Sequence, residues 1–202
     1  MLPIESNAEY IDTSFNEVEL RDAIINKSRF TNCTFRGADM EESSFVGCEF
    51  TGCNFKLARL NVCEMRSSAF LNCNFGIASL FGSNFIDCKM VGSTFEETNM
   101  IGVEIKRGNW SYTNLKNHSF KNGDLTEIDF TYADFTGCNL EKAVFTGSTL
   151  KNANLAVCKL KGCDFRGAIL DGVNLAELNL LHVKLDVVHC ILLAMSLGAK
   201  VE

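Results

Sequence analysis

From Tyr10 to Leu185 every fifth residue is large and apolar, across thirty-six consecutive fives without an insertion, a deletion or an exception. Phe30, Phe35, Met40, Phe45, Phe50, Phe55 and Leu60 show the pattern, and Phe130, Phe135, Leu140, Phe145 and Leu150 repeat it. A second register lies two residues earlier and holds small side chains: Cys33, Ala38, Ser43, Cys48, Cys53 and Ala58, then Ala133, Cys138, Ala143 and Ser148. A period of five matches neither the 3.6 of a helix nor the 2 of a strand. It describes a repeat architecture, in which stacked units share one continuous core and present extended surfaces. Such a chain is a shaped surface before it is an enzyme.

Two residues of each five point inward, one large and one small, and three point outward. The small inward residue sits where the chain turns a corner, because bulk there collides with the large residue of its own side. Outward positions are rich in Asn, Asp and Gly, as in Thr51-Gly52-Cys53-Asn54 and Lys161-Gly162-Cys163-Asp164. These residues tolerate unusual backbone angles and bond locally, which suits turns. One five therefore reads as one short side plus one corner.

The fives Arg36-Gly37-Ala38-Asp39-Met40 and Lys151-Asn152-Ala153-Asn154-Leu155 resemble those of the pentapeptide-repeat family. That resemblance implies an all-β fold, a right-handed quadrilateral parallel β-helix with four sides and twenty residues per coil, hence about nine coils here. It stacks Phe35 on Phe55, Phe75 and Phe95, and Phe30 on Phe50 and Phe70. A right-handed winding is the general preference of parallel crossovers. With 47% apolar content the 202 residues suffice for one solenoid over residues 1–185 and a distinct tail over 186–202. The one proline, Pro3, precedes the repeats, as expected of a coil that needs its backbone donors. The longest apolar run, Cys190 to Met195, is far too short to span a bilayer, and no signal-peptide pattern is present. A cytoplasmic protein without membrane contact is expected.

Nine of the ten cysteines, all but Cys190, occupy the small inward register, where cysteine acts as a small, soft hydrophobe. No C-x-x-C occurs, and so many free thiols favour a reducing compartment. Neither a metal site nor a cofactor is expected. His118 breaks the small register, with Gly108 and Gly123 underfilling it and Ile128 overfilling it nearby. Without an accompanying nucleophile or carboxylate motif, His118 marks a locally widened coil rather than a catalytic base, and no catalytic residue is assigned. No phosphate loop, nucleophile elbow or metalloprotease motif appears.

Net charge is −6, all of it in residues 1–50, which hold 10 acids and 4 bases against 15 of each in the remainder. Sorted by side, Glu41, Glu42, Glu64 and Glu104 form an acidic stripe, to which the preceding side adds Asp39, Glu96 and Glu97. Such a stripe repels nucleic acid and attracts a basic groove.

The five-residue period stops after Leu185. Asp186 is suited to capping a helix and Gly198 to ending it, with a short strand over residues 199–201. The intervening residues are too apolar for a helix that only covers the last coil, which favours a second copy as partner. The tail, with Val183, Lys184, Leu185, Asp186, Leu192, Leu193, Leu197, Gly198 and Val201, resembles the dimer module of the quinolone-resistance (Qnr) branch of pentapeptide-repeat proteins. Residues 30–55 and Gly102-Val103-Glu104-Ile105 resemble the same branch.

The resemblance implies a non-enzymatic dimer of DNA-like shape that binds DNA gyrase or topoisomerase IV and modulates it or protects it from quinolones. Its contact residues would be Asp39, Glu41, Glu42, Glu64, Glu96, Glu97 and Glu104, and its dimer interface Leu192, Leu193, Met195, Leu197 and Val201. Gram-negative Qnr proteins carry two projecting loops that matter for protection, and the unbroken register here has room for neither. A ~90 Å dimer with twice the −6 charge faces roughly 50 phosphates on duplex DNA of that length, from one charge per ~1.7 Å. Shape and local patches must then supply most of the likeness. The alternative is a general interaction scaffold for an unrelated protein, and a further one is an enzyme built on His118 and buried thiols.

Overall fold

Most of the fives fold in the same way. The large residue and the small one before it are buried, as with Phe45 and Ser43, and the residue two beyond the large one takes a left-handed backbone, as Gly47 does at φ 65°. The left-handed residue turns the corner, which is why Gly and Asn recur there. The computed structural model describes residues 4–201; Pro3 lies outside them. The fives wind into a parallel β-solenoid in which the paired residues of successive coils are twenty positions apart. Tyr10 pairs with Phe30, Phe30 with Phe50 and Phe50 with Phe70. On the adjacent side Ile25, Phe45, Met65, Phe85 and Ile105 form one column, in strands that include Ser44–Val46, Asn84–Lys89 and Glu104–Asn109. Backbone bonds join successive coils, for example Phe35 N–H to Asn54 O at 2.7 Å and Asn54 N–H to Cys33 O at 3.0 Å.

The twenty-residue repeat places rings face to face. Along one column Phe35–Phe55, Phe55–Phe75 and Phe75–Phe95 have centroids 4.9, 4.8 and 5.1 Å apart, within 5° of parallel. Along the next, Phe30–Phe50 and Phe50–Phe70 stand 4.6 and 4.7 Å apart. These distances equal the ~4.8 Å spacing of neighbouring strands, so the backbone ladder sets the ring stack. The expected columns are therefore present in the expected register.

The small register does more than leave room. Its hydroxyls and thiols donate to the carbonyl of the large residue twenty-three positions earlier: Ser68 to Phe45 O at 3.0 Å, Ser93 to Phe70 O at 2.8 Å, Thr98 to Phe75 O at 2.7 Å and Cys138 to Leu115 O at 2.9 Å. Each bond ties one coil to the next and satisfies a carbonyl facing the core. His118 obeys the same rule, its Nε2 lying 2.6 Å from Phe95 O. Nε2 therefore carries the proton, and the imidazole fills a place built for a hydroxyl.

That substitution coincides with a break in the ladder. Ser79 pairs with Asn99 and Ser119 with Asn139, but Asn99 does not pair with Ser119, nor Glu104 with Asp124. The coils meet again at Thr94–Asn114 on one flank and at Gly108–Ile128 on the other. The widened coil expected around His118 is thus a separation of two adjacent coils along two of their four sides. The lower coil's corners there hold His118, Gly123 and Ile128. His118 is too large for a tight corner, and Gly123 leaves its corner without a side chain. A second separation precedes the tail, where Val173, Leu178 and Val183 fill the small register and Leu175–Glu177 tightens into a 3-10 turn.

The tail forms a helix, Val187–Ser196. Asp186 caps it by accepting from His189 N–H at 3.2 Å, while His189 Nδ1 accepts from Asp186 N–H. Gly198 follows at φ 90° and ends the helix. Residues 199–201 form no strand, contrary to expectation. A strand needs a neighbouring edge to bond; Ala199 N–H instead bonds back to Ala194 O at 3.0 Å.

Candidate protein-interaction surface

The acidic stripe is largely neutralised by the same stacking that builds the core. Arg21 and Arg59 stand one coil before and one coil after the acids between them. Arg59 Nη2 donates to Asp39 Oδ2 at 2.6 Å, and Arg21 bonds both Asp39 and Glu41. Asn61 donates to Glu41 at 2.7 Å, and Arg21 lies 3.6 Å from Glu42. Asp39, expected on the open surface, is 4% exposed beneath the two guanidinium groups. Burial alone would raise its carboxyl pKa. The bond from Arg59, the Glu41 N–H and the charges of both arginines outweigh that and hold it below its usual value. Glu64 is paired with Arg66 at 2.7 Å and Glu104 with Lys106 at 2.9 Å.

Of the seven acids expected to form the contact surface, only Glu96 and Glu97 have no cation within ion-pair distance. Counting acids alone missed this: Arg21 and Arg59 stand eighteen or twenty residues from Asp39 and Glu41, while Arg66 and Lys106 follow Glu64 and Glu104 by two residues on the same side. Other unpaired acids gather on the first coil. Asp12, Glu17 and Asp22 occupy its left-handed corners, exposed, at φ 48°, 55° and 56°.

Beside the arginine network the side centred on Leu60, Leu80 and Met100 turns apolar outward. Leu57, Val62, Ile77, Phe81 and Ile101 are all exposed, Ile101 by 69%. Three of them hold left-handed corners, Leu57 at φ 64°, Val62 at 58° and Ile77 at 57°. A side chain with a Cβ in that region costs roughly 1–2 kcal/mol relative to glycine's freedom. The patch is thus placed against backbone preference, in a solenoid that puts glycine at Gly82 and Gly102 on the same side.

In the tail, Leu192 and Leu193 turn inward and pack partly on the solenoid core. Met195, Leu197 and Val201 are exposed, and so are Val187, Val188 and Ile191. The open apolar face of the helix is therefore Val187, Val188, Ile191 and Met195, displaced by part of a turn from the expected Leu192–Leu193.

Sequence profiles for pentapeptide repeats match residues 12–60 (nine copies), 78–155 (a repeat region) and 148–186 (eight copies). The chain belongs to the pentapeptide-repeat family. Among solved pentapeptide-repeat structures it is similar to full-length QnrB1, a plasmid-mediated fluoroquinolone resistance protein. The two share 25% identity and a TM-score of 0.71, over 96% of this chain and 99% of that one. A trypsin-treated variant of QnrB1 gives a TM-score of 0.86 at 24% identity, over 98% and 99% of the two chains. HetL, involved in heterocyst differentiation regulation in the cyanobacterium Nostoc sp. strain PCC 7120, gives 0.51 at 20% identity, over 90% and 86%. No curated protein matches the sequence significantly.

In this pentapeptide-repeat protein most of the buried thiols are poor nucleophiles, Cys53 excepted, whose pKa is lowered chiefly by its hydrogen bond with Cys73. Burial pushes Cys63 and Cys138 up to about 12 and Cys88 up to about 11. Burial likewise lowers the pKa of His118, outweighing its bond to Phe95 O. Among the described residues no three His, Cys, Asp or Glu side chains converge as a metal ion would require, and no helix is long and apolar enough to cross a membrane.

Proposed function

We propose that the protein is a non-enzymatic, DNA-mimicking binder of a type II topoisomerase, DNA gyrase or topoisomerase IV, and that it modulates the enzyme's response to quinolones. The observation that carries this reading is the end-to-end structural match to full-length QnrB1, at 25% identity and 99% coverage of that chain. An unbranched solenoid with its free acids at the first coil and at Glu96 and Glu97 suits a basic, DNA-binding saddle. Two copies joined through Val188, Ile191 and Met195 would double its length and place a first coil at each end. The paired acids Asp39, Glu41, Glu42, Glu64 and Glu104 then act as a polar frame whose basic partners, Arg21, Arg59, Arg66 and Lys106, set the shape of the surface. The exposed Leu57–Ile101 patch supplies the apolar contact that charge alone does not. The reading places the protein in the cytoplasm, where its partner works, and assigns it no cofactor and no nucleic acid of its own.

The test is a DNA gyrase supercoiling titration with and without ciprofloxacin. The proposal expects a dose-dependent change in supercoiling or in drug-stabilised cleavage at micromolar protein. Supercoiling and cleavage both unchanged, for gyrase and for topoisomerase IV, would leave the scaffold alternative standing.

A further inference from the structure

The separation between the two central coils opens a cleft of about 690 Å³. Its upper lip is the strand Glu104–Asn109, which bonds the preceding coil along one edge but meets the next coil only at Gly108 and Asn109. Its lower lip runs from Ser119 to Glu127 and bonds only downward, through Phe120 N–H to Asn139 O, Leu125 N–H to Val144 O and Glu127 N–H to Thr146 O. The corresponding upward and downward groups inside the cleft form no ladder: the N–H groups of Met100, Gly102, Ile105 and Arg107 above, and those of Ser119 and Asp124 below. Two facing strand edges are thus left open, in a fold whose other central coils are bonded throughout. Open edges of this kind are templates for another chain.

The cleft also has a floor and a charge. Met100 and Phe120 line it and are 6% and 8% exposed, whereas the stacked phenylalanines of the regular coils are at most 2% exposed. The cations on its rim are engaged: Lys106 with Glu104, Arg107 with Asp87 and Lys121 with Glu141. Asp124 and Glu127, both exposed on the lower lip, have no cation within ion-pair distance. The uncompensated charge at the cleft is negative.

We propose that this cleft is a docking slot for an extended, basic peptide segment of a partner protein, seated as an added strand along Glu104–Arg107. The segment would bond the open N–H and C=O groups on both lips, set alternate apolar side chains on Met100, Ile105, Phe120 and Leu125, and point its lysines or arginines at Asp124 and Glu127. Strand addition gives affinity through main-chain bonds and selectivity through alternate side chains. The slot is independent of the topoisomerase reading, because it is defined by this chain's own open edges.

The test uses capped synthetic hexapeptides that alternate valine with lysine or valine with glutamate, and a lysine peptide N-methylated on alternate residues. Amide exchange is followed by NMR on the full-length protein. In the free protein the amides of Met100, Gly102, Ile105, Arg107, Ser119 and Asp124 should exchange at least about tenfold faster than those of Phe120, Leu125 and Glu127, as unbonded amides do. The lysine peptide should protect them. The glutamate peptide and the N-methylated peptide should bind about tenfold or more weakly, since each removes one element of strand addition. Exchanging both exposed acids, Asp124→Lys with Glu127→Lys, should weaken the lysine peptide similarly without altering the circular-dichroism spectrum. Slow exchange of the six amides in the free protein, no binding of the lysine peptide at millimolar concentration, or equal binding of the N-methylated peptide would each overturn the proposal. None of these results bears on whether gyrase is bound.

Discussion

Removing one ring from the middle of the phenylalanine column tests the packing account where it makes its largest claim. Phe75 has no exposed surface and lies between Phe55 at 4.8 Å and Phe95 at 5.1 Å, within 4° of parallel to both. Phe75→Ala leaves a cavity bounded by backbone ladders that cannot close on it, and the cost of emptying such a site is about 3–5 kcal/mol. Each lost stacked pair adds roughly 0.5–1.5 kcal/mol beyond burial, which places the expected loss at the upper end. Phe120→Ala supplies the contrast. Phe120 is 8% exposed beside the cleft and makes one edge contact, with Phe135 at 6.0 Å, so it should cost less than about 3 kcal/mol, the lower bound for a packed phenylalanine. Urea unfolding followed by far-ultraviolet circular dichroism and by the fluorescence of Trp110, which stacks on Phe95 at 5.6 Å, reads both. A loss below about 1 kcal/mol for Phe75→Ala, far under the usual range, or a larger loss for Phe120→Ala, would refute the stacked-column reasoning.

Light scattering should show Val188→Glu with Ile191→Glu to be monomeric and folded, because those side chains are exposed on the tail helix; a dimer persisting in this variant moves the interface elsewhere. Leu193→Glu should instead lower stability, since Leu193 packs on the core. Reversal of the free acids, Glu96→Lys with Glu97→Lys, should weaken topoisomerase binding more than Glu64→Lys with Glu104→Lys, whose carboxylates are already paired; equal effects in a binding titration would show that local pairing does not matter. His118 has its pKa lowered by burial, so the unfolded chain binds its proton more readily. Stability should therefore fall as pH drops below the unfolded imidazole value of about 6.5, and His118→Cys should flatten that slope in urea titrations between pH 7 and pH 5. Asp164, held low chiefly by its bond to Arg166, keeps its contribution until pH falls below the ordinary carboxylate range, where Asp164→Asn should lose less stability than the parent.

The core was readable because a strict period leaves each position one role. Phe30, Phe50 and Phe70 stack as their spacing requires, and His118 and Ile128 mark the irregular coil because they break a rule that most other fives keep. What the sequence concealed depends on neighbours twenty residues apart. Asp39 looks like a surface acid until Arg21 and Arg59 are placed one coil to either side of it. The hydrogen bonds of the small register were equally hidden: Ser68, Cys138 and His118 look like packing residues until their carbonyl partners, always twenty-three positions back, are seen. In the tail the period is gone, and only contact with the last coil decides that Leu193 turns inward while Ile191 does not.

The central claim is tested most directly by surface-immobilised DNA gyrase exposed to the full-length protein and then to increasing duplex DNA. The account predicts saturable binding that weakens with salt, as screening over about 8–10 Å acts on exposed carboxylates, and that duplex DNA displaces in competition. Binding that is absent, or that is unaffected by saturating DNA, would contradict it.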